Sequence, residues 1–230
     1  MDQHCLIVDD HQLYAEAVES VLSNADPTLH CTRVGGLKLA ASELKKATEV
    51  SIVILDLCLP DASGLLGLVE LRGLAPKTPI LIHSAYGDRE LVQSALICGA
   101  AGYVPKTADR KSLLTAARDC LAGRLIVPAG NRPVDPSQRL TQQQLRILEM
   151  ICQGLLNKQI AHRLGIYETT VKAHASEIIR KFDVLSRTQA VLKIVRPCTM
   201  LSIGCRHGLS LIGQRTVQRE AVVKQALNVP

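Results

Sequence analysis

Aromatic side chains are almost missing from this chain: it has no Trp, one Phe (Phe182) and four Tyr (Tyr14, Tyr86, Tyr103 and Tyr167). The core must therefore be built from Leu, Ile, Val and Ala, and the aromatic stacking platforms that grip single-stranded nucleic acid are not expected. No apolar run approaches the ~20 residues that cross a bilayer. Asp2 and His4, ahead of only a short apolar stretch, do not make a signal peptide. The eight cysteines include no CxxC pair and no zinc-finger spacing. Most sit inside apolar segments, where a free thiol acts as a small hydrophobe, so a reducing, cytoplasmic location is expected. Only Cys198, Cys205 and His207 cluster as candidate metal ligands. Membrane, collagenous and disordered classes are excluded.

Charge, by contrast, is unevenly spread. The 230 residues carry a net +6. Residues 1–125 hold 12 Lys and Arg against 15 Asp and Glu, whereas residues 126–230 hold 15 against 6. An acidic module joined to one that binds a polyanion, nucleic acid foremost, fits this asymmetry. A basic but merely solvated surface is the other reading that charge alone allows.

Short apolar runs alternate with amphipathic stretches through the first half. The runs Cys5–Val8, Leu29–Val34, Val50–Leu55, Pro79–His83 and Ala101–Val104 predict strands; helical periodicity follows near 12–24, 37–48, 64–73, 88–98 and 109–122. Five βα units in this order predict an α/β fold, a doubly wound five-stranded parallel sheet, whose ligands bind at the carboxyl ends of the strands. Asp9 and Asp10 follow the first strand, Asp56 the third, Ser84 the fourth and Lys106 the fifth. Carboxylates gathered there repel one another unless paired, and a hard divalent cation with oxygen ligands is the simplest remedy.

These residues, with Leu55-Asp56-Leu57-Cys58-Leu59-Pro60-Asp61-Ala62-Ser63-Gly64, Ser84-Ala85, Tyr103 and Lys106, resemble the CheY-like receiver domain of two-component response regulators over residues 4–122. The resemblance implies that Asp56 accepts a phosphoryl group from a sensor histidine kinase. It implies Mg²⁺ (or Mn²⁺) held by Asp10, Asp56 and the Cys58 backbone carbonyl, with Asp9 in the outer part of the acidic site. Lys106 and Ser84 would contact the acyl phosphate, Ala85 would leave room for it, and Tyr103 would repack as the Ser84 hydroxyl moves. The chemistry is sound: a carboxylate nucleophile needs alignment and charge neutralisation more than covalent help.

Arg124–Gln138 contains three prolines and a glycine, a stiff connector that stops a continued helix. Beyond this linker, Thr141 is a candidate N-cap, Gly154 ends a first helix, and Asn157 is expected to cap a second, Lys158–Leu164. After a turn at Gly165, a third helix runs from Glu168 to about Asp183. Its buried stripe is Val171, Ala175, Ile178, Ile179 and Phe182; Lys172, Ala173, Ser176, Glu177 and Arg180 face outward. Such a pair of helices is the helix-turn-helix pattern, although periodicity alone fits any αα-hairpin.

Leu140-Thr141, the stretch Gly154-Leu155-Leu156-Asn157-Lys158-Gln159-Ile160-Ala161, Thr170-Val171-Lys172-Ala173-His174 and Ser186-Arg187-Thr188-Gln189-Ala190 resemble the LuxR-type DNA-binding domain over roughly 138–195. Together the two resemblances describe a NarL/FixJ-type response regulator: a receiver (1–123), a linker (124–137), an all-α four-helix helix-turn-helix domain (138–196) and an extension (197–230). They imply a third helix in the major groove of double-stranded DNA and a fourth, about 187–195, making a homodimer contact. Lys172, Ala173 and Ser176 match base-facing positions. Asn157, Lys158, Thr169, Thr170 and Lys181 are placed for phosphates, and His174 for packing.

Two departures from the family stand out. Gln142-Gln143-Gln144 replaces charged residues, weakening the cap or altering the contact with the receiver, and Glu177 sets a carboxylate on the outward face. In the extension, Leu201, Ile203, Leu209, Leu211 and Ile212 suggest strands or a helix, and Gln214–Leu227 a basic amphipathic helix; a loose tail is the other reading.

The expected protein is a transcription regulator, not a dedicated enzyme, in which phosphorylation of Asp56 releases a DNA-binding domain whose recognition helix or dimer surface the receiver covers. The rivals are a self-dephosphorylating phosphate sink and a DNA-binding regulator whose receiver is a phosphorylation-independent docking surface. No membrane partner is expected.

Overall fold

A computed structural model of the chain describes residues 3–46 and 49–195. The extension and the Cys198, Cys205 and His207 cluster lie outside the described residues.

Five parallel strands form one sheet: β1 (Gln3–Val8), β2 (Leu29–Val34), β3 (Ile52–Leu55), β4 (Ile80–Ser84) and β5 (Gly102–Pro105), in the order β2-β1-β3-β4-β5. Alternation along the strands sorts two apolar layers. Cys5 and Ile7 of β1, with Ile52 and Ile54 of β3, meet α1 (Gln12–Ala25) and α5 (Arg110–Leu121). Leu6, Val8, Val53 and Leu55 face the other way, onto α2 (Leu37–Lys45), α3 (Leu66–Leu74) and α4 (Arg89–Ile97). Strand order reverses between β1 and β3, which pair from Cys5 opposite Ile52 to Val8 opposite Leu55. The residues just beyond both strands therefore open into one crevice, where such sheets bind ligands.

Four further helices follow among the described residues: α6 (Gln142–Cys152), α7 (Asn157–Leu164), α8 (Glu168–Lys181) and α9 (Arg187–Val195). Their core of Leu145, Leu148, Ile160, Val171, Ile178 and Phe182 belongs to the same apolar cluster as the α2–α4 layer, and Val134 and Leu140 are also part of it.

Helix ends differ from the periodicity where backbone geometry intervenes. Gly64 has φ 56° and cannot open a right-handed helix, so α3 begins two residues later. Asp183 has φ 51°, which ends α8 before the expected position. The expected connector is partly docked. Ile126 bridges to Gly102 at the β5 edge, and Tyr103 donates its N–H to the Ile126 carbonyl at 3.2 Å. A Cβ on residue 102 would lie 2.8 Å from that of Ile126, so only glycine fits beneath the crossing chain.

Candidate functional site

At the carboxyl edge, β1 delivers Asp9, β3 delivers Asp56 and β5 runs into Lys106. The Lys106 ammonium lies 2.6 Å from Asp9 Oδ2 and 3.0 Å from Asp56 Oδ2. Both carboxylates are buried, and an unpaired charge in that position is costly. Burial works against the Lys106 ammonium, but the hydrogen bond to Asp9 and the charge of Asp56 outweigh it and hold its pKa above that of an ordinary lysine. One ligand atom each from Asp9, Asp10, His11 and Asp56 lies within 4.8 Å of the others. Asp56 Oδ1 is buried without a hydrogen-bond partner. An orphaned carboxylate oxygen in a cluster of hard donors fits a divalent metal ion. His11, exposed and 3.1 Å from Asp10 Oδ1, escaped the sequence reading because its ring flanks the acids without belonging to a strand end.

Ser84 is fully buried at the end of β4 and pairs in register with Pro105, so its carbonyl accepts the Lys106 N–H at 2.8 Å. Ala85 follows on the exposed loop. The Tyr103 ring already occupies the interior, and its hydroxyl donates to the Tyr86 carbonyl in the β4–α4 loop. Burial pushes that phenol well above its usual pKa, with the nearby charges of Asp88 and Asp56 adding to the effect. Cys58 lies in the loop that follows Asp56. Asp61, in the same loop, accepts the backbone N–H groups of Leu37 and Lys38 at 2.8 and 3.0 Å, capping α2 instead of joining the acidic cluster.

In the helical unit, Lys172, Ala173 and Ser176 are exposed along one side of α8, with Thr169 exposed and Thr170 half-buried in its first turn. Lys172 pairs with Glu168 at 3.0 Å and Arg180 with Glu177 at 2.7 Å, so the unexpected carboxylate at 177 is neutralised within its own helix. His174 is half-buried.

Three expectations are corrected here. Asn157 is not the cap of α7: Leu156 holds that position, its N–H bonded to the Gln159 side chain at 2.8 Å. The Asn157 carboxamide oxygen instead accepts from Arg187 at 3.1 Å. Lys181 turns inward, donating to the Arg139 carbonyl at 2.7 Å and to Gln144 Oε1 at 3.0 Å, because those acceptors lie within reach of its stem. Nor does the glutamine run weaken the α6 cap. Thr141 Oγ1 accepts the Gln144 N–H and Gln144 Oε1 accepts the Thr141 N–H, a complete capping box. Lys158 is exposed on α7, free of such a contact to the core.

Residues 5–118 match the response regulator receiver domain, and residues 138–194 match the bacterial regulatory proteins of the luxR family. The chain belongs to the two-component response regulators. It is 37% identical over 205 residues to the glycerol metabolism activator of Pseudomonas putida, an alignment covering 81% of this chain and 92% of that protein. It is 31% identical over 201 residues to the nitrate/nitrite response regulator NarL of Escherichia coli strain K12, again covering 81% and 92%. The fold is shared with RcsB of Salmonella enterica serovar Typhimurium, bound to promoter DNA in the presence of a phosphomimetic. That match has a TM-score of 0.53 at 17% identity, covering 85% of this chain and 98% of that one.

This response regulator is thus a DNA-binding transcription regulator of the NarL type, and its two units are docked. Helix α6 packs along α3, and α9 lies against α4. Leu65 donates its N–H to the Ile194 carbonyl at 2.8 Å, and Leu140 donates to the Ile97 carbonyl at 2.8 Å. Lys193 reaches Glu90 at 3.3 Å. Gln142 donates from Nε2 to the carbonyls of Arg72 and Gly73, so the first glutamine of the run is part of the contact with the receiver. The receiver therefore lies against α9, while the outward residues of α8 stay exposed. Among the described residues, no helix is long and apolar enough to cross a membrane.

Proposed function

We propose that Asp56 accepts a phosphoryl group from a sensor histidine kinase, and that the charge change frees the helical domain to bind double-stranded DNA as a homodimer. The observation that carries this reading is the Asp56 carboxylate itself: buried, tethered to Lys106 through Oδ2, with Oδ1 unsatisfied. One Asp56 oxygen attacks phosphorus as the bond to the donor's imidazole nitrogen breaks, and the imidazole takes up a proton. Lys106 offsets charge on the transferred oxygens from a position already beside Asp56. Asp10, Asp56 and the Cys58 carbonyl, with Asp9 outside them, would hold Mg²⁺ or Mn²⁺, which supplies the remaining charge neutralisation.

Release follows from connectivity. The buried Ser84 hydroxyl sits at the root of the β4–α4 loop, the Tyr103 hydroxyl holds the Tyr86 carbonyl of that loop, and α4 carries the contacts to α9 and Leu140. A Ser84 hydroxyl drawn toward phosphate oxygens strains this series of contacts and shifts α4, a two-state element biased by one charge change. Domain limits of 1–123, 124–137 and 138–196 fit this division of labour. Lys172, Ala173 and Ser176 would then read bases, with Lys158, Thr169 and Thr170 at phosphates. Such chemistry, fed by a kinase and read out on DNA, belongs in the cytoplasm.

Intact mass after incubation with acetyl phosphate and Mg²⁺ tests the reading. One phosphoryl adduct is expected on the chain and none on Asp56→Ala, together with phosphodonor-stimulated DNA binding by the wild type alone. Stimulated binding that survives in Asp56→Ala overturns it.

A further inference from the structure

Lys106 is a flexible side chain that must present one ammonium to two carboxylates, and free rotation of its four-carbon stem opposes that placement. Two residues outside the acidic cluster surround it. The Tyr14 ring, on α1, lies with its centroid 4.4 Å from the Lys106 ammonium. Its hydroxyl is 2.9 Å from His83 Nε2 and 3.4 Å from the Lys106 carbonyl. His83, buried on β4, places Nδ1 2.9 Å from the Val104 carbonyl on β5. A carbonyl only accepts, so Nδ1 carries the proton and Nε2 is left to accept from the tyrosine. Burial, which disfavours the imidazolium, is consistent with the neutral ring this requires. Val104 lies two residues before Lys106, so the backbone that fixes His83 is the backbone that delivers the lysine.

We infer that Tyr14 and His83 are a positioning pair for phosphoryl acceptance, in which the anchored tyrosine ring confines the Lys106 ammonium between Asp9 and Asp56. The inference rests on the reading of Asp56 as phosphoacceptor. The ring contributes a cation–π attraction and a wall. The hydroxyl–imidazole bond stops the half-buried ring from swinging outward, and His83 Nδ1 ties that bond to β5. Neither residue touches the transferred group; both act through Lys106.

The test uses the full chain with acetyl phosphate and Mg²⁺, following the adduct by mass across phosphodonor concentrations. Tyr14→Leu is expected to lower the maximal rate about tenfold while leaving the half-saturating concentration unchanged. Tyr14→Phe keeps the ring and is expected to retain most of the rate. His83→Leu should match Tyr14→Phe, and the double variant should be no slower than either, because both remove one anchor. An independent readout is the Lys106 Cε methylene resonance without phosphodonor. The ring should shift it upfield in the wild type and in Tyr14→Phe, and the shift should vanish in Tyr14→Leu. A wild-type rate in Tyr14→Leu, or no upfield shift in the wild type, overturns the inference. A wild-type chain that gains no adduct overturns the phosphoacceptor reading and with it the pair's role in phosphoryl acceptance, while the Lys106 resonance separately shows whether the ring confines the ammonium.

Discussion

At the sheet edge, Lys106 lies 2.6 Å from Asp9 and 3.0 Å from Asp56; on α8, Lys172 lies 3.0 Å from Glu168 and Arg180 2.7 Å from Glu177. The distances are alike and the surroundings are not. The Lys106 side chain is 13% exposed and those of its partners 6% and 3%, whereas those of Lys172 and Glu168 are 61% and 44% exposed. Buried partners have given up hydration, so each depends on the other, and removing one strands a charge. Exposed partners keep water as an alternative, and their pairing is worth little. The first arrangement suits a site whose geometry must be ready before the reaction. The second suits a surface whose cations must leave their intrahelical partners when a polyanion arrives.

Removing the buried cation should break this comparison most visibly. Lys106→Ala is expected to destabilise the chain by about 3 kcal/mol in chelator, with part of the loss restored by a divalent cation. Urea unfolding with and without metal checks it; a loss no larger than that of Glu168→Ala would mean that the pocket is as well solvated as the helix surface.

Lys172→Ala should cost ~1–3 kcal/mol on a specific DNA site and much less on unrelated duplex. Titrations on both duplexes at two salt concentrations measure the difference. An equal loss on both would assign Lys172 to the phosphate backbone.

The smallest effect belongs to the docked interface. Burial raises the pKa values of Glu70 on α3 and Glu149 on α6 above the usual carboxylate value. Asp61 adds to the rise at Glu70 and Lys45 opposes it; Glu70 adds to the rise at Glu149 and Arg146 opposes it. A carboxyl whose pKa is raised by docking favours the docked state most fully below its ordinary pKa, and that favour is lost as pH rises through the raised value. Small-angle scattering from pH 7.5 down to 4.5 should show the chain becoming more compact, and Glu149→Gln should flatten the trend.

How much of this was legible beforehand depended on the range of the interaction. Asp9, Asp56, Ser84 and Lys106 could be assigned to strand ends because apolar runs of four to six residues end abruptly beside them, and parallel strands bring such ends to one edge. The buried stripe of α8 followed from its 3.6-residue period, and Val171, Ile178 and Phe182 are indeed buried. Side chains long enough to choose among partners were not legible. Lys181 has the position of a phosphate contact but finds the Arg139 carbonyl and Gln144. Asn157 has the chemistry of a cap but meets Arg187, thirty residues away.

The pattern of apolar periodicity, the turn residues and the sites of charge determined by themselves that this chain makes a five-stranded parallel sheet followed by a basic helical unit with a tight turn between two of its helices, because those signals act within a few residues. Only the tertiary structure decided that Tyr14 and His83, 69 residues apart, meet beside Lys106, and that α6 and α9 lie against α3 and α4. Such contacts depend on how finished elements dock, which is set by the shapes of whole faces and by the few buried polar groups that must find partners there.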